Sequence, residues 1–275
     1  MTGLRGSWAV VTGASSGLGA DFTRQLAGRG VNVVAAARRM ERLSALRREV
    51  EEDHGTIVMP VQVDLSTEAG CEMLYESVRD AGIEPLMLVN NAGFGVHGAF
   101  LSVPWERERA MLSLDILALV YLTRRFVADM IERGRGYVLQ VGSIGGYQSA
   151  PTYASYAAAK AYVLHHGEAL HHELRGTGVS VTVLSPGVTA TEFLDVAGQR
   201  PTLYQRLAMM ESPRVVRVGL RALFRRRLSV VPGVFNKVSV WLNRVLPRAL
   251  VVRIAAATMR PPRSGRSTRV SPTAS

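Results

Sequence analysis

The sequence predicts an α/β fold with a doubly wound parallel sheet, and three observations predict it. Near-continuous Val/Leu runs alternate with helical patterns along most of the chain, a Gly-rich turn follows the first run, and 275 residues suffice for one large domain. Apolar runs without polar alternation belong to strands buried on both faces, as in a parallel sheet covered by helices.

"SWAVVTG" reads as the first strand, followed by a helix to about Gly30. "VNVVAAA" is a second buried strand, with a charged helix from Arg39 to about Asp53. "TIVMPVQVD" is a third, and Ser66 is the expected cap of the helix in "STEAGCEMLYESVRDAG". "LMLVNNAG" is a fourth strand, and a long helix from about Pro104 to Arg133 follows it. Then come strand "GYVLQVGS", a helix from about Tyr153 to Leu174, and strand "VSVTVLSPG". The long helix holds an anomaly: Asp115 has Met111, Leu112, Ala118 and Leu119 three or four residues away, so it interrupts an apolar stripe. An ionised carboxylate in such a stripe is costly unless something pairs with it.

The net charge of +11 is unevenly spread. Residues 1–211 hold 19 Lys/Arg against all 22 Asp/Glu, whereas residues 212–275 hold the other 14 basic residues and no acid. The asymmetry points to an anionic partner for that end only. The lone cysteine, Cys71, excludes an intrachain disulfide, reads as a packing residue and fits a reducing, cytoplasmic setting. No secretory signal is expected, because the apolar stretch from Trp8 runs into the Gly-rich turn rather than a cleavage site.

"TGASSGLG" sets Gly13, Gly17 and Gly19 between the first strand and the first helix. Glycines there let the backbone approach a pyrophosphate, and the N–H groups of the helix start carry partial positive charge. This reads as a dinucleotide site. Near the end of the second strand such sites choose between a ribose hydroxyl, held by a carboxylate, and a ribose 2′-phosphate, held by arginine. Here Arg38 and Arg39 follow Ala37, with no acid before Glu41. Their forked cations favour NADP(H) over NAD(H), against the plainer reading of a solvated helix start.

"SYAAAK" puts Tyr156 and Lys160 four apart on one helical face, with Ser143 at the end of a strand. A phenol beside an ammonium is drawn toward working pH, which suits proton exchange with an alcohol or ketone during hydride transfer. With "TGASSGLG", "NNAG" and "PGVTAT", this order of motifs resembles the short-chain dehydrogenase/reductase family over about residues 7–230. The resemblance implies a Rossmann-type catalytic domain over residues 1–230. It further implies that Tyr156 is the general acid/base, Ser143 orients the substrate carbonyl, and Lys160 binds the nicotinamide ribose. Cofactor contacts are implied at Ser15, Ser16, Leu18, Asp64, Leu65, Asn91, Ala92, Gly93, Pro186, Gly187, Thr189 and Thr191. Asp115 falls where the family has an asparagine that helps hold a relay water. It is read either as a relay-position carboxylate that displaces the pH optimum or as a structural carboxylate.

The expected substrate wall is Phe94, Val96, Ile144, Tyr147, Tyr153 and Phe193, with His97 either touching substrate or at the surface. Residues of about 190–212 resemble the family's substrate loop and add Leu203, Tyr204, Leu207, Met209 and Met210. An apolar ketone or alcohol is therefore expected. The competing reading is a catalytically weak NADP(H)-binding sensor or scaffold. His165, Glu168 and His172 share a helical face, but no further ligand is evident, so a subunit contact in a homo-oligomer or plain solvation is preferred to a metal.

Residues 231–260 form a basic extension. Lys237, Arg244 and Arg248 flank an apolar row of Val234, Val238, Trp241 and Val245, and Pro247 breaks or kinks the helix. Two readings stand: an amphipathic element on an anionic membrane, as in some lipid- and steroid-reducing family members, or a helix covering the substrate pocket. Nucleic acid is not expected. Residues 261–275 lack apolar periodicity and read as a disordered tail.

Overall fold

A computed structural model describes residues 4–199, 202 and 208–259. The first half runs β1 (Trp8–Thr12), α1 (Gly17–Ala27), β2 (Asn32–Ala37), α2 (Met40–His54), β3 (Val58–Gln62), α3 (Glu68–Asp80) and β4 (Pro85–Asn90). Then come α4 (Trp105–Leu112), a π-helical turn (Ser113–Ala118), α5 (Leu119–Glu132), β5 (Gly136–Val141), a 3₁₀ turn (Ile144–Tyr147), α6 (Ala154–Glu173) and β6 (Val179–Leu184). The last part holds β7 (Thr189–Ala190), α7 (Phe193–Ala197), β8 (Met210–Glu211), α8 (Ser212–Phe224), β9 (Ser229–Val230), α9 (Val234–Val245) and α10 (Arg248–Met259).

Seven strands form one parallel sheet in the order β3-β2-β1-β4-β5-β6-β9. Proline lacks the N–H that a central strand must donate, and Pro60 lies in β3, at the sheet edge. Two cores flank the sheet. Phe22 and Leu26 of α1 meet Val215, Val216 and Leu220 of α8 on one face, and Leu74, Phe126 and Met130 of α3 and α5 fill the other. The strand order reverses between β1 and β4, and the crevice beyond their carboxyl ends is where such sheets bind ligands.

Two local expectations are corrected. Thr67, not Ser66, caps α3: the Thr67 hydroxyl accepts the Gly70 N–H at 3.0 Å, while Ser66 donates its hydroxyl to Asp64 at 2.8 Å. The long helix is also not continuous α, because Ser113–Ala118, with Asp115 among them, form a π-turn. Pro247 separates α9 from α10, as its missing N–H and fixed φ require.

Phe22 is fully buried, so Phe22→Ala is expected to cost about 3–5 kcal/mol in urea-unfolding stability. Leu101→Ala, at a residue 93% exposed, is expected to stay within about 0.5 kcal/mol.

Candidate active site

The Gly-rich turn lies at the β1–β4 crevice and has the shape a phosphate cradle needs. Gly13 and Gly17 sit at φ +67° and +52°, and a Cβ on Gly19 would lie 2.2 Å from the Gly13 carbonyl oxygen. Thr12 and Asn91 pin the two strands on either side. The Thr12 hydroxyl accepts the N–H groups of Asn91 and Ala92 at 2.9 Å each, and the Asn91 side-chain amide donates to the Thr12 carbonyl at 2.9 Å. Thr191 stands over Gly17 from the far side, 3.0 Å from where a Cβ would be. The residues therefore fit a dinucleotide pyrophosphate.

Just beyond the end of β2, Arg39 donates to Ser16 Oγ at 2.8 Å and to Ser15 Oγ at 3.1 Å. Asp64 accepts the Ser66 N–H and hydroxyl, and these bonds, helped by the nearby Arg38 charge, hold its carboxyl below the ordinary range. Leu18 is partly buried against the core, and the Leu65 side chain is a core residue. Leu65 thus offers a ligand only its backbone. Beneath the Pro186–Gly187 turn the Pro186 carbonyl is taken by the Ile144 N–H at 2.9 Å, and Thr189 Oγ1 donates to the Gly187 carbonyl at 3.1 Å.

The cluster of Ser143, Tyr156, Lys160 and Asp115 is assembled from separate elements. Ser143 lies two residues beyond β5 and caps the 3₁₀ turn, its hydroxyl accepting the Gly145 N–H at 3.0 Å. Tyr156 and Lys160 stand one turn apart on α6, with Lys160 Nζ 5.7 Å from the centre of the Tyr156 ring. Lys160 is 5% exposed; it donates to the Val141 carbonyl at 3.2 Å and forms an ion pair with Asp115 Oδ2 at 3.0 Å. Asp115 Oδ1 accepts the Phe94 N–H at 3.0 Å, and Gly93 passes so close that a Cβ there would be 2.7 Å from that oxygen.

The charge in the apolar stripe is explained. The π-turn aims Asp115 inward, where it is fully buried and paired. Burial pushes its carboxyl up, against the pull of Lys160 and the Phe94 N–H.

Among the protein's own groups the Tyr156 phenol is pushed up rather than down. Burial pushes it up first, the Asp115 charge adds to the rise, and only Ser143 draws it down. The ammonium expected to lower it is instead paired with Asp115.

The residues expected to form the substrate wall gather into a largely aromatic group beside Tyr156. Phe193 and Tyr153 lie 5.4 and 5.8 Å from the Tyr156 ring, and the Tyr153 hydroxyl donates to Gln199 Oε1 at 2.6 Å. His97 is not a surface residue: it is partly buried, its ring is 5.1 Å from Tyr153, and burial lowers its pKa. Val96 is buried, and Phe94 and Ile144 border the cluster through their backbone bonds. Tyr147 has Ser185, Glu168, Ser229 and Arg244 as its polar neighbours, away from the aromatic group. Leu203, Tyr204 and Leu207 lie outside the described residues, Met209 is partly buried, and Met210 packs toward Gly233 and Asn236.

Glu168 accepts the Ser229 hydroxyl at 2.8 Å, and among the described residues no group of His, Cys, Asp or Glu is arranged to hold a metal. Cys71 is a buried packing residue whose thiol burial pushes up to about 11.

Sequence reasoning missed Asn236. It is 2% exposed on α9, seated where a Gly187 Cβ would go, and donates to the Pro232 carbonyl at 2.8 Å. An asparagine at the start of an amphipathic helix gives no signal that it reaches a turn fifty residues back.

The chain matches the family model for short chain dehydrogenases over residues 7–201. It belongs to the short chain dehydrogenase family. That family comprises oxidoreductases that act on CH–OH groups and bind NAD(P). A 7beta-hydroxysteroid dehydrogenase of Collinsella aerofaciens is 30% identical over 238 residues, covering 86% of this chain and 89% of that one. A very-long-chain 3-oxoacyl-CoA reductase of Pyricularia oryzae is 32% identical over 217 residues, 77% of this chain and 63% of that one, so the match spans less than two thirds of that relative. Among solved structures, a short-chain dehydrogenase of Sphingobium yanoikuyae in complex with NADPH is 29% identical, with a TM-score of 0.77 over 88% of this chain and 97% of that one.

In this dehydrogenase the Asp115 charge opposes the Tyr156 anion. Asp115→Asn should therefore lower the phenol pKa and move the rising limb of the alcohol-oxidation pH–rate profile about one unit toward acid. Superimposable profiles would assign Asp115 a purely structural role.

Proposed function

We propose that this protein interconverts a lipophilic ketone or aldehyde and its alcohol with NADP(H), Tyr156 acting as general acid/base. One observation carries the reading: Tyr156, Ser143 and the buried Lys160 meet beside a glycine cradle and under an aromatic wall. NADP(H), when bound, supplies or accepts the hydride. Ser143 orients the substrate oxygen by hydrogen bonding. Tyr156 gives that oxygen a proton in reduction and takes it back in oxidation. Its raised pKa keeps the phenol protonated at neutral pH, the state that reduction needs. Lys160 and the Asn91–Gly93 turn hold the nicotinamide end, and Arg38 and Arg39 favour the 2′-phosphate.

The apolar character of Phe193, Tyr153 and Val96 supports a lipophilic substrate. So does the likeness to a hydroxysteroid dehydrogenase and a 3-oxoacyl-CoA reductase, and the NADPH-bound neighbour supports the cofactor. The Asp115–Lys160 pair favours a second reading, a catalytically weak NADP(H)-binding sensor, because it spends the cation that would ionise Tyr156. NADPH consumption across lipophilic ketones decides between them. Tyr156→Phe is expected to lower turnover by about 10²–10⁴-fold while NADPH binding persists. Binding without turnover on any ketone would establish the sensor, and turnover unaffected by Tyr156→Phe would overturn the mechanism.

The proposed role includes a membrane surface and a homo-oligomer. No helix among the described residues is long and apolar enough to cross a membrane. The inner face of α9 packs on the body of the domain, through Asn236 on Gly187 and through Asn243, which donates to Gln148 at 3.0 Å. Its outer face leaves Val234 and Trp241 78% and 59% exposed, with Val238 and Val245 between and beyond them and Lys237, Arg244 and Arg248 also exposed. Such a face suits an anionic bilayer surface. Co-sedimentation with phosphatidylserine vesicles at low salt, lost at high salt and weakened by Trp241→Ser, is the expected result. Failure to sediment at low salt would overturn it.

A further inference from the structure

Glu192 follows Thr191 at the entrance to the substrate loop, yet its carboxylate is held across the crevice by arginines at the start of α2. Oε2 lies 3.0 Å from Arg39 Nη1 and Oε1 lies 2.5 Å from Arg42 Nη1. Arg42 and then Arg39 hold the carboxyl below the ordinary carboxylate range. Arg39 simultaneously donates to Ser15 and Ser16. One guanidinium thus joins the Gly-rich turn, the end of β2 and the substrate loop.

These groups stand where the ribose 2′-phosphate is expected. Arginine forks recognise carboxylate and phosphate alike, and the same N–H groups cannot serve both in full. We infer that Glu192 is an internal surrogate for the 2′-phosphate, competing with it for Arg39 and Arg42. NADP(H) then binds at the expense of the Glu192 contacts, and this exchange couples the adenosine end of the site to the segment that opens the substrate loop. A cofactor lacking the 2′-phosphate leaves the contacts in place. The inference rests on the NADP(H) reading.

The pairs are about 42% exposed on the Glu192 side and screened by water, which sets a modest scale for the effect. Glu192→Gln keeps the shape and removes the charge. Titrated by fluorescence or calorimetry, it should bind NADPH and 2′,5′-ADP about three- to tenfold more tightly than wild type. NADH and 5′-ADP should stay within about twofold, and Glu192→Asp should return toward wild type. Unchanged or weaker NADPH binding in Glu192→Gln would overturn the competition, as would an equal gain for NADH. Wild type that binds no NADPH at all would instead overturn the cofactor reading, and the inference with it.

Discussion

The contact between Lys160 and Asp115 joins most of what gives this molecule its site. Lys160 comes from α6 and also grips the end of β5 through the Val141 carbonyl. Asp115 comes from the π-turn and grips the segment after β4 through the Phe94 N–H. Two buried charges at 3.0 Å are costly to desolvate, and removing either partner alone typically costs about 3–5 kcal/mol. The pair therefore ties α6 to the β4 loop, and losing one partner would leave the other charge buried alone. It does so at a chemical cost, since the cation nearest Tyr156 already has an anion beside it.

The fold was legible because buried parallel strands read as unbroken apolar runs. β1, β2, β4, β5 and β6 all come from such runs, and the Gly-rich turn announces the switch point. What could not be read locally depended on distant partners. The π-turn at Ser113–Ala118 has no compositional mark, since its residues suit an ordinary helix; only the misplaced carboxylate hinted at it. The cap of α3 moved one residue because Asp64 captures Ser66, leaving Thr67 to meet Gly70. β9 is two residues long, too short to show a period.

In the site, the same-helix spacing of Tyr156 and Lys160 was readable, as was the order of the motifs. The direction of the phenol shift was not, because it depends on which anion lies nearest the ammonium in three dimensions. His97 looked like a surface residue because a single histidine carries no pattern, and its place beside Tyr153 follows from the chain path after β4. Glu192 and its arginines are separated by about 150 residues, and nothing in either stretch points to the other.

Asn236 alters how the C-terminal part of the chain should be regarded. Its amide occupies the space over Gly187 that a side chain there would have filled, so the extension is an inner wall of the catalytic unit as well as an outer surface. The unit of inheritance and of engineering is then the whole length to α9. A chimera that joins this sheet to another member's ending inherits a hole above the Pro186–Gly187 turn, unless the graft brings a side chain of matching volume and polarity. Modularity in this protein stops at the last turn of the sheet, and the helices beyond it travel with the site.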